Sequence, residues 1–121
     1  MKTVQLILAF LFGAFLIFGG INHFTTPEFY DPFIPDFLPK PAVNYITGVI
    51  EILLGVGLFV PATRNKAALG TMLLMIAFLP IHVADVFKDA PAIGSQQAAW
   101  IRLAFQFVFI AWSWWLWQRN K

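Results

Sequence analysis

Long apolar runs, separated by short polar connections, make up most of this chain of 121 residues. About 20 helical residues cross a hydrocarbon core of about 30 Å, and the chain contains four runs of that length. They lie at residues 4–24, 42–60, 67–87 and 98–118. The pattern predicts an all-α fold, a bundle of four transmembrane helices that forms a single integral membrane domain over residues 1–121.

Composition also favours a membrane protein. Hydrophobic residues make up 60% of the chain and charged residues 12%, whereas soluble domains have about 45–50% and 25%. The net charge of +2 comes from bases scattered at segment ends, so they form no patch for nucleic acid. Because the chain has no cysteine, thiol redox chemistry, disulfides and cysteine-based metal sites are excluded.

The charges predict an orientation. In a four-helix topology five bases fall on the side that carries both termini, and the acidic residues fall on the other side or within the membrane. The five bases are Lys2, Arg64, Lys66, Arg119 and Lys121. Since positively charged loops stay inside, we predict a multi-pass protein of the bacterial inner (plasma) membrane with cytoplasmic termini.

The connection between the first two apolar runs is unusual. Its five prolines prevent a continuous helix, yet it is too apolar for a solvated linker. The apolar residues are Phe29, Tyr30, Phe33, Ile34, Phe37 and Leu38. We predict a proline- and aromatic-rich segment lying along the outer interface. The alternative is a lid over a site between the helices.

The second apolar run carries a polar face. Asn44, Thr47, Gly48, Glu51 and Gly55 recur at helical spacing and therefore share one side of the helix. Glu51 falls near the middle of the bilayer, where an unpaired carboxylate costs at least a few kcal/mol. We therefore expect Glu51 to face the bundle. Gly48 and Gly55 flank it and allow another helix to approach closely.

Other polar residues converge on the same outer half of the bundle. Together they predict an intramembrane pocket whose candidate ligand-binding residues are His23, Asn44, Glu51, His82, Asp85, Arg102 and Gln106. We expect Glu51 to lie within reach of His23, His82, Arg102 or Gln106, and we favour Arg102.

Each of these residues also has a structural interpretation. His23 can close its helix, Arg102 can extend to the headgroups, and the spacing of His82 and Asp85 suits a local hydrogen bond. Pro80 should kink the third helix just before this pair. Two histidines and two carboxylates can bind zinc or iron, but their sequence spacing is not that of a metal motif, so we predict no metal site.

The sequence resembles the DoxX-like family over essentially its whole length. The resemblance rests on Gly20-Ile-Asn-His-Phe24, on Tyr45-Ile-Thr-Gly-Val-Ile-Glu51, and on the Gly55 and Leu58-Phe-Val-Pro61 that follow. It implies a small four-helix membrane protein, marks His23, Gly48 and Glu51, and implies association with a quinone-linked oxidoreductase or another membrane complex. The family has no uniform activity, so fold membership does not decide function.

Three functions remain open. The favoured one is a non-catalytic accessory or assembly subunit of a membrane complex with a polar intramembrane pocket. The alternatives are a quinone-linked membrane oxidoreductase subunit and a small-solute or proton carrier. The sequence shows no catalytic or cofactor motif, so it leaves enzyme activity undecided and quinone as the one candidate cofactor. The expected partners are the lipid bilayer and other membrane proteins or a second copy of the chain, with no nucleic acid.

Overall fold

Four long helices and a short helical segment form the computed structural model, which describes residues 2–121. The long helices are α1 (Thr3–Thr25), α3 (Lys40–Phe59), α4 (Arg64–Val86) and α5 (Gln96–Arg119). Between α1 and α3 lie the short helix α2 (Pro27–Tyr30) and a 3-10 turn (Asp31–Phe33). All four long helices are long and apolar enough to cross a membrane. The predicted all-α four-helix class is confirmed, and the protein is a multi-pass membrane protein.

Each helix begins one to three residues before its predicted apolar run because polar residues there are also helical, whereas α3 and α4 end one residue earlier than predicted. α3 begins at Lys40 with Pro41 in its first turn, where the missing N–H of proline would have no helical partner anyway. α4 begins at Arg64, whose Nε donates to the carbonyl oxygen of Leu58 at 2.7 Å and so caps the end of α3.

Close packing of α1 against α3 depends on glycine. A Cβ on Gly20 would lie 2.7 Å from the carbonyl oxygen of Gly48, and a Cβ on Gly55 would lie 2.7 Å from that of Gly13. No other side chain permits this separation, since real Cβ atoms essentially never come that close to backbone. The predicted close approach at Gly48 and Gly55 is confirmed, and its partner is α1. α4 and α5 form the second closely packed pair.

The bundle has two different halves along its axis. We call the side with both chain ends and the turn at residues 60–63 the terminal side, and the side with residues 26–39 and 87–95 the loop side. In the terminal half, Phe12 packs against the rings of Trp112 and Phe109, with centroids 4.7 and 5.8 Å away. Leu58 is fully buried beside them. The main apolar core therefore lies in the terminal half.

Candidate functional site

The loop half contains a cavity of about 400 Å³ between the α1/α3 pair and the α4/α5 pair. Its walls are mainly aromatic and aliphatic, with polar side chains from Asn22, His23, Tyr30, Thr47, Glu51, His82 and Arg102. Phe18 lines the cavity and yet is 67% exposed. The cavity therefore opens on the outer surface of α1.

Glu51 faces the bundle, and its partner is His23. Glu51 Oε2 lies 3.1 Å from His23 Nε2, and both residues are buried. The expected ion pair with Arg102 does not form, because the glycine contacts bring α3 against α1 and not against α5. Glu51 is thus within reach of one of the four expected partners, but the favoured choice of Arg102 was wrong.

Asn44 stands behind His23 and extends the polar contacts toward the surface. His23 Nδ1 and Asn44 Oδ1 lie 2.9 Å apart, and Asn44 Nδ2 donates to Asp31 Oδ1 at 2.8 Å. Asn44 is fully buried and does not line the cavity. Asp31 belongs to the 3-10 turn and is partly exposed. A continuous hydrogen-bonded path therefore runs from a loop carboxylate to the cavity wall.

The proline-rich segment closes the cavity on the loop side. The Tyr30 ring stacks on His23 with centroids 3.7 Å apart, and Phe33 meets His82 edge-on at 5.7 Å. Tyr30 also donates its hydroxyl to the carbonyl oxygen of Gly19 at 3.5 Å. Burial raises the pKa of Tyr30 above its ordinary value, so the phenol stays a neutral donor.

The lid interpretation fits one part of this segment. Residues 29–34 contribute Phe29, Tyr30, Phe33 and Ile34 to the cavity wall and form the lid. Phe37, in contrast, is 85% exposed and lies outside the cavity wall. Its position at the membrane interface stays a prediction. The prolines explain the division, because they break the chain into short turns that can face different ways.

Arg102 lies in the opposite wall of the cavity, and Gln106 supports it from behind. Arg102 Nη1 donates to Gln106 Oε1 at 2.9 Å, and Gln106 Nε2 donates to the carbonyl oxygen of Met75 at 2.6 Å. Gln106 is fully buried and does not line the cavity. It links α5 to α4 and holds the Arg102 guanidinium at the cavity wall.

His82 and Asp85 do not act as a pair. Asp85 accepts from the backbone N–H groups of Ala92 and Ile93 at 2.6 and 3.4 Å. Its side chain therefore fixes the loop between α4 and α5, lies outside the cavity, and does not make the predicted bond to His82. His82 does line the cavity. Within residues 2–121 its ring makes no hydrogen bond, which leaves both ring nitrogens available to a ligand.

Sequence reasoning did not identify Tyr30 and Asp31 as individual site residues. The sequence pattern places Tyr30 among several interfacial aromatics, and Asp31 is one of the acidic residues on the side opposite the termini. The usable signal was Pro27, which starts the short helix α2 at its first position. A helical turn directly after α1 folds the following residues back over the end of that helix, next to His23.

Comparison with known proteins gives one match. The family model of a domain of unknown function, DUF8561, matches residues 12–117. No curated protein and no solved structure matches the chain. The matched region runs from α1 to α5 and includes all the cavity-lining residues.

Proposed function

Because this chain belongs to the DUF8561 family, a domain of unknown function, we propose its function from the site geometry: it is an accessory subunit of a membrane complex that binds a small lipophilic ligand. The cavity of about 400 Å³ carries this proposal. Small-molecule sites are mostly apolar concave spaces of about 300–1,000 Å³ with a few polar groups that fix orientation. This cavity has that character.

The position of the opening supports entry of the ligand from the bilayer. Near the terminal half, α1 and α5 are held together by Phe15 and Phe109, whose rings lie 5.1 Å apart. Nearer the loop side, Phe18 and Phe105 are 67% and 51% exposed. A lipophilic molecule would pass between α1 and α5 on the loop side of the Phe15–Phe109 contact. An apolar ligand needs no aqueous route to such an opening.

A second candidate is the quinone-linked oxidoreductase subunit. The observation that favours it is the placement of polar groups on opposite walls: His23 and Glu51 on the α1/α3 pair, and His82 and Arg102 on the α4/α5 pair. A ring with an oxygen at each end would meet both walls. Since the chain has no cysteine and no evident cofactor motif, electrons for such a ring would come from a partner subunit. The DoxX-like resemblance agrees with this role.

Our proposal also includes an orientation. All five bases on the terminal side lack an acidic residue on that side, and positive charge is retained in the cytoplasm. We therefore place the protein in a bacterial plasma membrane with both termini cytoplasmic. The cavity then lies in the outer leaflet.

The test is to block the cavity without substituting any of its polar residues. A Cβ on Gly19 would meet only the Glu51 carboxyl group, at 3.5 Å or more, so the Gly19→Leu side chain would extend into the cavity. Ala14→Leu is the matched control, because Ala14 lies on the same helix and is exposed. Each protein is purified in mild detergent, and its extracted lipids are analysed by mass spectrometry.

We expect one lipophilic compound to co-purify in stoichiometric amount with the wild-type protein and with Ala14→Leu. It should be lost from Gly19→Leu, while thermal unfolding shows that this variant is folded. Equal amounts in both variants, or no compound with any of the proteins, would contradict the proposal.

A further inference from the structure

Asp31 fixes which way the Asn44 amide points. A carboxylate only accepts hydrogen bonds, and Asp31 Oδ1 lies 2.8 Å from Asn44 Nδ2. The amide oxygen of Asn44 is therefore turned toward His23, 2.9 Å from Nδ1. Because that oxygen is also only an acceptor, His23 Nδ1 must carry a hydrogen and donate it.

A proton must then lie between His23 and Glu51. With Nδ1 protonated, the neutral imidazole has a lone pair at Nε2, which lies 3.1 Å from Glu51 Oε2. A lone pair facing an ionised carboxylate would be repulsive. Two arrangements avoid this: an imidazolium that donates to the carboxylate, or a carboxylic acid that donates from Oε2 to Nε2. Each places one proton on this contact.

Both arrangements leave the same atom facing the ligand. Oε2 is buried and has no hydrogen bond of regular geometry among residues 2–121. Its close polar neighbour is His23 Nε2, at 3.1 Å. A Cβ built on Gly19, which also lines the cavity, would lie 3.5 Å from Oε1 and 3.7 Å from Oε2, so we take Oε1, the nearer oxygen, as the one at the cavity wall. Whether Glu51 is a carboxylate or an acid protonated at Oε2, Oε1 carries lone pairs and no hydrogen. At Glu51, therefore, the cavity wall accepts a hydrogen bond.

Arg102, on the opposite wall, has the reverse character. A guanidinium group has five N–H donors and no acceptor, and Arg102 uses Nη1 for Gln106. Its remaining N–H groups are available at the cavity wall. A ligand that spans the cavity therefore meets an acceptor at Glu51 and donors at Arg102.

We infer that the cavity selects a ring compound with a hydroxyl group at one end, which donates to Glu51 Oε1, and an acceptor oxygen at the other, which meets Arg102. The inference rests on the proposed function and deepens it by naming the ligand class as a phenol. A hydroquinone belongs to this class. A fully oxidised quinone has only acceptor oxygens and leaves Glu51 without a donor, and an unpaired buried polar group is costly.

The groups around His23 and Glu51 do not change which atoms at the cavity wall donate hydrogen bonds and which accept them. The titratable groups that face it are Tyr30, stacked on His23, Asp31, reached through Asn44, and His82 and Arg102 across the cavity. The Tyr30 hydroxyl is directed to the carbonyl oxygen of Gly19. Tyr30 therefore does not supply the hydrogen that Oε1 lacks.

The test compares two probes that differ in one hydrogen-bond donor: 4-hexyloxyphenol and its methyl ether, 1-hexyloxy-4-methoxybenzene. Binding to the wild-type protein in detergent is measured by calorimetry, with Gly19→Leu as the blocked control. We expect the phenol to bind at least about tenfold more tightly, since the ether leaves Oε1 unpaired. Gly19→Leu should bind neither probe.

Two variants assign the preference to Glu51. Glu51→Leu should lower the ratio of the two affinities to about one, because it removes the acceptor. Glu51→Gln should restore the preference, since its amide nitrogen can donate to His23 Nε2 and leave the amide oxygen facing the cavity.

The outcomes separate this inference from the proposed function. Equal affinities of wild-type protein for the two probes, with both lost in Gly19→Leu, would overturn the inference and leave the binding site intact. No binding of either probe, or binding that Gly19→Leu does not reduce, would contradict the proposed function itself. The wild-type ratio and its blocked control decide the matter even if a Glu51 variant does not fold.

Discussion

The two halves of the bundle use the same helices in opposite ways. In the terminal half, Phe12, Leu58 and Leu116 are fully buried, and aromatic rings from α1 and α5 fill the space between the helix pairs. In the loop half, the helix pairs face each other across a cavity of about 400 Å³. The difference is not in helix type or length but in which side chains point inward.

Polar side chains keep the loop half from closing like the terminal half. Gln106 is held by the Met75 carbonyl, and Asn44 is held by Asp31. Each of these contacts lies within one helix pair or at its end, so neither pulls the two pairs together. Because buried polar groups must keep their partners, these side chains stay turned toward their own helix pair and do not fill the space between the two pairs. The cavity is thus a consequence of where the partners lie.

The largest expected effect concerns orientation. The comparison fails if labelling shows that the terminal side, and not the loop side, faces the outside of the cell. The chain has no cysteine, so Ala62→Cys in the terminal-side turn and Ala90→Cys in the loop between α4 and α5 provide single exposed labelling sites. A membrane-impermeant maleimide should label Ala90→Cys in intact cells and Ala62→Cys only after permeabilisation. Labelling of Ala62→Cys alone in intact cells would place the cavity in the inner leaflet.

Hydropathy was sufficient to predict the four helices and the inward position of Glu51, because both follow from the cost of placing polar groups in hydrocarbon. It was also sufficient to find Gly48 and Gly55 as contact residues. Periodicity along one helix reveals which face is small or polar. It holds no information about which other helix packs there, so His23 was not recognised as the favoured partner of Glu51.

The lid and Asp85 show the same limit in the loops. Tyr30 reaches His23 because Pro27 restarts a helix directly after α1. The direction of that second helix depends on the backbone angles of the residues between the two helices, which the sequence pattern does not give. Asp85 turns to the N–H groups of Ala92 and Ile93. Spacing within α4 predicts that Asp85 can reach His82, but it cannot predict that loop donors compete for the same carboxylate.

The next largest effect should come from removing one member of the His23–Glu51 pair. His23→Leu leaves a buried carboxyl group without its partner and should lower stability by about 3 kcal/mol. The double variant His23→Leu with Glu51→Leu should be less destabilised than His23→Leu alone, since no charge is left unpaired. Unfolding of all variants is measured in detergent under the same conditions.

His82→Leu is the matched control for this cycle. It makes the same substitution at the wall of the same cavity, but within residues 2–121 His82 has no hydrogen bond to lose. Its effect should therefore be well below that of His23→Leu. If His82→Leu and His23→Leu lose equal stability, the pair does not act as one unit. The same follows if the double variant loses as much stability as His23→Leu and Glu51→Leu together.

A smaller effect should follow from closing the narrow space between α1 and α3. The Cβ of Gly20→Ala would lie 2.6 Å from Ile52 Cγ1 and 2.7 Å from the carbonyl oxygen of Gly48, and a backbone atom cannot move aside. Overpacking of this kind costs about 1–3 kcal/mol. Gly19→Ala is the neighbouring control, because its Cβ meets the Glu51 carboxyl group only at ordinary contact distance. Equal thermal midpoints for the two variants would contradict the packing described for α1 and α3.

Placing the same change in the other half separates packing from binding. A Cβ on Gly13 would lie 2.8 Å from the carbonyl oxygen of Gly55, so Gly13→Ala should destabilise the protein about as much as Gly20→Ala. Of these two glycines, however, only Gly20 packs against Gly48 and Ile52, which flank Glu51 along α3. Separation of the helices at Gly20 would therefore move Glu51 Oε1, whereas separation at Gly13 would not. Gly20→Ala should therefore weaken binding of 4-hexyloxyphenol, and Gly13→Ala should leave that binding unchanged at temperatures where it is folded. If Gly13→Ala weakens binding equally, the two halves are mechanically coupled and the cavity depends on the terminal core as well as on its own polar contacts.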